Sequence, residues 1–266
     1  MRRMAPEKLR EHEAVAITPQ RFDAVLFDLD GVLTSTAVIH ASAWKRMFDE
    51  FLRARSKLLG EPFREFEIAT DYIRYVDGRP RYEGVRQFLQ SRGIELPWGS
   101  SASPPDELSV CGLGNRKNEF VQQAIAAGQV QSFPSSIDFV RVVRERGIKT
   151  AVVTSSRNCT DVLRAARIEG LFDAQVDGLT IERERLRGKP APDGFLRAAA
   201  MLGVSPQRAV VVEDAISGVQ AGRDGGFALV IGIDRHGEGD ALRENGAHVA
   251  VEDLGDLLND GVIRDT

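Results

Sequence analysis

The sequence is poor in cysteine, and it has neither an excess of positive charge nor a long apolar run. Two cysteines, Cys111 and Cys159, among 266 residues argue against a disulfide-stapled fold and against a cysteine-ligated zinc site. Basic residues number 35 and acidic residues 39, so no broad cationic field exists to hold nucleic acid. No run approaches the roughly 18 apolar residues of a spanning helix, and we expect no membrane association.

The N-terminus begins Met-Arg-Arg, but no apolar stretch of signal-peptide length follows it. Residues 5–13 are mostly charged or polar, so we interpret residues 1–20 as a loose or helical tail and expect a cytoplasmic protein. The composition, 42% hydrophobic and 28% charged, is that of an ordinary globular protein. The length favours a core that carries a smaller additional unit, and we expect a monomer.

Three short apolar runs predict buried β-strands. They cover residues 24–27, 148–153 and 209–212, and each ends in polar residues. Their apolar residues are consecutive rather than alternating, which is typical of a parallel strand covered by helices on both faces. From about residue 136 to residue 254, strand and helix patterns alternate. The sequence therefore predicts a doubly wound, Rossmann-like α/β fold with a parallel sheet.

The region from residue 36 to residue 133 differs, because it has helical patterns and no convincing strand. The predicted helices cover residues 36–55, 62–75, 82–91 and 115–127. A loop rich in proline, serine and glycine lies at residues 97–106. We therefore predict an all-helical insert over 36–133 within a core formed by 21–35 and 134–266.

Acidic and hydroxyl side chains follow the three predicted strands. Ligands of open parallel sheets bind beyond the carboxyl ends of the strands. Two carboxylates about 4 Å apart there would repel each other by roughly 1 kcal/mol in water and by about 4 kcal/mol at an effective dielectric of 20. A divalent cation removes this cost, and all-oxygen ligation favours Mg²⁺. The predicted metal site comprises Asp28, Asp30, Glu213 and Asp214.

A carboxylate beside magnesium can attack phosphorus and form an aspartyl phosphate, and Asp28 is the predicted nucleophile. Lys189 is a candidate for the cation that screens the phosphate charge. Thr154 and Ser155 can hold phosphate oxygens with hydroxyl and backbone N–H groups. Asp30, two residues past Asp28, can serve as the acid and base for the oxygen that leaves or attacks.

Each of these motifs alone has a simpler structural interpretation. An Asp-x-Asp-Gly sequence is often a turn with a helix cap, and Glu213-Asp214 could also be a cap. A calcium loop fails because its twelfth position is Ile39. Gly188-Lys189 is not a P-loop because a proline follows, and Gly112-x-Gly114 is an incomplete glycine fingerprint. The motifs gain meaning together, in this order and each at a strand end.

Taken together, Asp28-Leu29-Asp30-Gly31-Val32-Leu33, Thr154, Lys189 and Glu213-Asp214 resemble the four motifs of the haloacid dehalogenase-like superfamily. The resemblance covers about residues 22–235, and the helical insert resembles that superfamily's helical cap. The β-phosphoglucomutase subfamily is the most similar branch. The segment Trp98–Leu113 looks longer than the short cap connection of that subfamily and has no assigned role.

The resemblance also implies substrate-binding residues. Thr36, His40 and Trp44 lie four residues apart on one predicted helix face. His40 and Trp44 could instead pack the cap against the core, and Arg81 could be a solvated surface charge. The implied substrate-binding set is Thr36, His40, Trp44, Gly78, Arg81, Lys117, Ser155, Ser156 and Asn158.

The expected activity is magnesium-dependent phosphoryl transfer on a small sugar phosphate. A mutase converting β-glucose 1-phosphate to glucose 6-phosphate must hold a bisphosphate, with Lys189 at one phosphate and Arg81 and Lys117 at the other. A phosphatase that hydrolyses a sugar phosphate monoester is the alternative. A dehalogenase is disfavoured because Asp30 has no clear task at a carbon–halogen bond. A non-catalytic binding module is disfavoured by the intact catalytic set.

Overall fold

A computed structural model of the chain describes residues 16–235 and 237–259. Most of the predicted tail, residues 1–15, lies outside the described residues, whereas Ile17 is fully buried. The described chain divides into two compact units. The core unit contains the described residues up to Thr34 and those from Gln131 onward, and the cap unit is Ser35–Val130.

The core unit contains a six-stranded sheet in which every neighbouring pair of strands is parallel. The strands run in the order β3-β2-β1-β4-β5-β6 across the sheet. Their bounds are β1 Ala24–Phe27, β2 Lys149–Val153, β3 Ala174–Val176, β4 Ala209–Glu213, β5 Leu229–Ile233 and β6 Val249–Val251. This architecture confirms the predicted doubly wound α/β fold.

The central strand β1 lies where the strand order reverses. Phe27 is in register with Val152 of β2 on one side and with Val212 of β4 on the other. All four residues of β1 are buried, because helices cover both faces of the sheet. The carboxyl ends of β2, β1 and β4 therefore lie side by side at a topological switch point, where such sheets bind ligands.

The cap unit consists of helices and connecting segments. Its helices are α1 Thr36–Leu59, a π-helix Ile68–Val76, α2 Arg81–Ser91 and α3 Val110–Ala126. The unit has its own aromatic core, in which the Phe48 ring centroid lies 4.2 Å from that of Phe88 and 5.0 Å from that of Phe66. Trp44 stacks on Phe48 at 5.3 Å. Each aromatic pair adds roughly 0.5–1.5 kcal/mol beyond burial of its area.

Helices of the core unit cover the sheet. They are α4 Pro134–Glu145, α5 Cys159–Ala165, α6 Gly178–Glu184, α7 Asp193–Leu202, α8 Ile216–Asp224, α9 Gly239–Glu244 and α10 Leu254–Asn259, with 3₁₀ turns at Glu169–Leu171 and Pro206–Arg208. One hydrophobic cluster joins Phe195 and Leu202 of α7 to Val153 and Val211 of the sheet. Among the described residues, none of the helices combines the length and apolar character needed to cross a membrane.

The chain leaves and re-enters the core unit at adjacent points. Thr34 forms an antiparallel bridge with Ser132. The Phe133 N–H donates to the Leu33 carbonyl at 3.0 Å. The two segments that flank the inserted residues are thus hydrogen-bonded to each other on the core side.

Two cap helices differ from the sequence-based prediction. Residues 62–67, predicted as helical, are irregular, because Asp49 and Lys45 of α1 hold the backbone N–H and C=O of Phe66 at 2.8 and 2.9 Å. Helix α3 begins at Val110 rather than at residue 115. Its early glycines hide the helical pattern, and Ser109 caps the helix by accepting the Gly112 N–H at 3.0 Å.

Candidate active site

Three neighbouring strands deliver the acidic and hydroxyl side chains to one place. Asp28 follows β1, Thr154 follows β2, and Glu213 is the last residue of β4. Asp28 is 6% exposed and Glu213 is fully buried, so these carboxylates lie inside the core unit rather than on its surface. The prediction that the strand ends converge is therefore met by the geometry.

Lys189 enters the same cluster from the loop between α6 and α7. It is buried, and its ammonium forms ion pairs with both Asp28 and Glu213. It also donates to the Val153 carbonyl at 3.2 Å and lies 5.2 Å from the centre of the Phe195 ring. A buried ammonium with this many acceptors is held in one position.

The pKa values in this cluster move away from their ordinary range. Burial raises the pKa of Asp28, Lys189 opposes this effect, and the charges of Glu213 and Asp30 add to it. Burial alone lowers the pKa of Lys189, but Asp28 and Glu213 outweigh it, and the pKa ends above its ordinary value. Lys189 therefore stays a cation.

The carboxylates fit a divalent metal ion. Oxygen atoms of Asp28, Glu213 and Asp214 all lie within 4.8 Å of one another. Together with Asp30, the cluster holds four carboxylates, and the ammonium of Lys189 forms ion pairs with two of them. This excess of negative charge and the all-oxygen donor set suit a hard divalent cation.

Two glycines make this close approach possible. A Cβ atom at Gly31 would lie 1.8 Å from an Asp214 carboxylate oxygen, and the Gly31 φ of +92° also disfavours other residues. A Cβ atom at Gly218 would lie 1.9 Å from the Glu213 carboxylate. Glu213 Oε2 also accepts the backbone N–H groups of Asp214 and Ala215 at 3.1 Å each, which fixes its orientation.

Asp30 and Thr154 are brought together beside Asp28. The Thr154 hydroxyl donates to Asp30 Oδ2 at 3.2 Å, and the Asp30 backbone N–H donates to Asp28 Oδ2 at 2.8 Å. Thr154 Oγ1 also accepts the Ser156 N–H at 3.0 Å, and Ser156 Oγ accepts the Asn158 N–H at 3.2 Å. Ser156 and Asn158 are both buried, and Ser155 lies in the same short loop after β2.

In the cap unit, His40 and Trp44 of α1 are brought together with Lys117 of α3. The Lys117 ammonium lies 2.7 Å from His40 Nδ1 and 4.8 Å from the centre of the Trp44 ring. An ammonium donates, so His40 Nδ1 is the acceptor in this contact. Lys117 is only 4% exposed, which makes it a buried cation held by imidazole and aromatic groups.

The other predicted cap residues lie at helix starts and in a turn. Arg81 is the first residue of α2, and its guanidinium donates to Asn118 Oδ1 at 2.6 Å and to Asn115 Oδ1 at 3.4 Å. Thr36 is the buried first residue of α1. Gly78, with a φ of +65°, lies in the turn before α2. Within the cap unit, Lys117 thus contacts His40 and Trp44, and Arg81 contacts Asn115 and Asn118.

Arg235 was not singled out from the sequence. Its Nε donates to the Gly31 carbonyl at 2.8 Å, its Nη1 donates to the Glu252 carbonyl at 3.2 Å, and its guanidinium lies 3.9 Å from the Phe133 ring centre. It therefore braces the loop that carries Asp30. No local sequence pattern indicates this role, because Gly31 and Arg235 are 204 residues apart in the sequence.

Comparisons with known proteins agree with this geometry. A curated relative from Mycobacterium bovis named beta-phosphoglucomutase is 49% identical over 243 residues, which cover 90% of this chain and 93% of the relative. A relative from Thermotoga maritima named phosphorylated carbohydrates phosphatase is 28% identical and covers 89% of this chain and 97% of its own. A solved structure described as a putative beta-phosphoglucomutase from Thermotoga maritima has a TM-score of 0.59 and 27% identity, and it covers 90% of this chain and 97% of its own.

The family-level match covers most of the core and the cap. The sequence profile of the haloacid dehalogenase-like hydrolases matches residues 22–226. This range includes all four motifs on which the resemblance was based. The chain is therefore an enzyme that belongs to the haloacid dehalogenase-like hydrolase family.

Proposed function

We propose that this enzyme is a β-phosphoglucomutase that converts β-glucose 1-phosphate to glucose 6-phosphate through the 1,6-bisphosphate. The observation that carries the proposal is the buried cluster of Asp28, Lys189, Glu213 and Asp214 at three adjacent strand ends. The 49% identity to a relative of that name, over nine-tenths of the chain, supports it.

In this proposal, Asp28 attacks the phosphorus atom of the bisphosphate. An Asp28 oxygen–phosphorus bond forms, and the bond between phosphorus and the sugar oxygen breaks. Asp30 gives its proton to that leaving oxygen, and it later takes the proton from the sugar hydroxyl that recaptures the phosphate. The Thr154 hydroxyl, 3.2 Å from the Asp30 carboxylate, holds it in place. Lys189, already in contact with Asp28, screens the charge of the arriving phosphate.

Magnesium is the proposed cofactor. Asp28 and Asp214, with the Asp30 carbonyl, would hold the ion, and Glu213 would orient its water ligands. When bound, the ion supplies positive charge that lowers the repulsion between the Asp28 carboxylate and the phosphate. Asp28 and Glu213 also form ion pairs with Lys189. In this proposal, the magnesium ion and the Lys189 ammonium therefore share the same carboxylates.

The cap supplies the second phosphate site of the proposed mutase. Arg81 and Lys117 are its cations, and His40 contacts Lys117. Thr36, Trp44 and Gly78 are the other substrate-binding residues proposed for the cap unit. Ser155, Ser156 and Asn158, in the loop after β2, are those proposed for the core unit. A mutase needs both phosphate sites, since the bisphosphate must stay bound while its phosphates exchange roles.

Hydrolysis of a sugar phosphate monoester is the second candidate function. It is favoured by the similarity to the Thermotoga maritima phosphatase over 89% of this chain. The core chemistry is the same in both cases, except that water instead of a sugar hydroxyl accepts the phosphate from Asp28. In a phosphatase, Arg81 and Lys117 would affect only the affinity for the substrate.

Incubation with β-glucose 1-phosphate, Mg²⁺ and a catalytic amount of glucose 1,6-bisphosphate separates the two functions. A mutase yields glucose 6-phosphate in stoichiometric amounts and little free phosphate. Release of free phosphate without glucose 6-phosphate would identify a phosphatase and refute the mutase proposal. The monomeric state and the cytoplasmic location stay predictions, and size-exclusion chromatography with light scattering tests the former.

A further inference from the structure

The cap segment that joins α2 to α3 is a closed loop with its own hydrogen bonds. Its ends meet where the Val110 N–H donates to the Pro97 carbonyl and the Cys111 N–H donates to the Trp98 carbonyl, both at 2.9 Å. Inside it, the buried Ser103 hydroxyl accepts the Ser100 N–H at 3.0 Å and donates to Glu107 at 2.8 Å. We call residues 97–109 the buttress loop.

Asn115 on α3 connects the buttress loop to Arg81. Its Nδ2 donates to the carbonyls of Ser101 at 3.2 Å and Ser103 at 2.8 Å. Its Oδ1 accepts the Tyr82 hydroxyl at 2.8 Å and an Arg81 N–H at 3.4 Å. Two carbonyls on one side and two donors on the other allow only one orientation of the amide. The side chain therefore transmits the position of the loop to the start of α2.

Two glycines in α3 set the spacing of these parts. A Cβ atom at Gly112 would lie 2.2 Å from the Glu107 carbonyl oxygen of the buttress loop. A Cβ atom at Gly114 would lie 2.7 Å from the Tyr82 ring and 3.2 Å from Arg81. Helix α3 thus packs closely against the buttress loop at Gly112 and against α2 at Gly114. The Gly112-x-Gly114 pair has a packing function and is not a phosphate-binding fingerprint.

Amide acceptors have a particular effect on an arginine. Asn115 and Asn118 lie one helical turn apart, and both present a carbonyl oxygen to the Arg81 guanidinium. These two amide oxygens orient the guanidinium plane through its N–H groups.

We propose that Asn115, braced by the buttress loop, is a positioning residue that fixes the Arg81 guanidinium for a phosphate group of the substrate. This inference rests on the proposed function, because it takes Arg81 as the cation for the second phosphate. The proposal assigns a role to the long connection between α2 and α3. The loop is the support that orients a substrate-binding arginine through one amide.

The test compares Asn115→Ala with Gln122→Ala, an exposed amide on the same helix. In Asn115→Ala we expect the KM for β-glucose 1-phosphate and the half-saturating concentration of glucose 1,6-bisphosphate to rise about tenfold, the effect of one lost charge-assisted hydrogen bond. We expect kcat, and the hydrolysis of acetyl phosphate, which has no second phosphate, to stay within about twofold. Gln122→Ala should match the wild type throughout.

A second measurement does not depend on the activity. Phenylglyoxal labels arginines, and peptide mass spectrometry gives the labelling rate of Arg81. In Asn115→Ala this rate should rise several-fold relative to the wild type and to Gln122→Ala. If the wild-type chain proves not to be a mutase, the proposed function fails, and the labelling rate alone decides whether Asn115 positions Arg81. Unchanged labelling together with an unchanged KM would overturn the proposal.

Tyr82→Phe covers the case in which Asn115→Ala does not fold. It keeps the aromatic ring and removes only the hydroxyl that shares the Asn115 carbonyl oxygen. A KM increase of about two- to threefold, with wild-type kcat and melting temperature, would support the positioning role. A wild-type KM together with wild-type Arg81 labelling in Tyr82→Phe would contradict it.

Discussion

The core and the cap place different groups against their buried lysines. In the core, Lys189 contacts two carboxylates, Asp28 and Glu213. In the cap, Lys117 contacts the imidazole of His40 and the ring of Trp44. A cation between carboxylates compensates charge that the protein itself has buried. His40 and Trp44, in contrast, bring no negative charge to Lys117.

This contrast matches a division of labour between the two units. The core needs a permanent cation, because its carboxylates would otherwise repel one another and the phosphate. In the proposed mutase, the cap cations would bind the second phosphate of the substrate. Arg81, oriented by the amides of Asn115 and Asn118, follows the same rule as Lys117. Substitutions in the core should therefore affect chemistry and stability, and substitutions in the cap should affect substrate affinity.

The largest effect is expected for Asp28→Asn. It removes the proposed nucleophile while the asparagine oxygen can still accept a hydrogen bond from Lys189, so the turnover rate should fall at least about a thousandfold. Steady-state assays with β-glucose 1-phosphate measure the loss, and circular dichroism checks that the fold is intact. Substantial remaining activity in a folded variant would refute Asp28 as the nucleophile.

Lys189→Met should be the most destabilising change in the core. It leaves Asp28 and Glu213 buried side by side without their cation, and we expect the free energy of unfolding to fall by about 3–5 kcal/mol. Urea denaturation gives this value. The control is Lys57→Met, an exposed lysine near the end of α1, which should change stability by no more than about 0.5 kcal/mol. Equal losses in both variants would contradict the core half of the comparison.

Arg81→Met tests the cap half. Loss of a phosphate-binding guanidinium should lower kcat/KM for β-glucose 1-phosphate about a hundredfold. Hydrolysis of acetyl phosphate, which needs only the core site, should remain near the wild-type rate. Arg86→Met is the control, because Arg86 lies on the same helix and is paired with Glu83. Parallel losses for both substrates would show that Arg81 supports the fold and not the second phosphate.

Arg235→Met should have the smallest effect. Arg235 braces the Gly31 carbonyl next to the proposed metal ligands, so its loss should weaken Mg²⁺ binding about fivefold and leave the fold intact. Isothermal titration of the protein with MgCl₂ measures the affinity directly. Arg243→Met, at an arginine paired with Asp240 in α9, is the control and should bind Mg²⁺ as the wild type does. An unchanged affinity in Arg235→Met would confine that residue to structural support.

The sequence predicted the catalytic strands well because their signal is local. Apolar runs followed directly by Asp28, Thr154 and Glu213 indicate buried parallel strands with polar ends, and the family match supports them. Strand β3 was not predicted, because the polar Gln175 interrupts its short apolar run. Among the described residues, Arg235 and Asn115 act through contacts between distant segments. Residue type and spacing do not reveal such contacts.

The antiparallel bridge between Thr34 and Ser132 bears on how such proteins evolve. The two ends of the inserted segment are hydrogen-bonded to each other at this bridge, which we call the neck. The core unit therefore keeps the same structure at this point whatever segment is inserted. The entropy of closing a loop grows only with the logarithm of its length. The scaffold can thus accept inserts of very different size at this neck, and new substrate preferences can arise by exchange of the insert while the phosphoryl-transfer machinery is inherited unchanged.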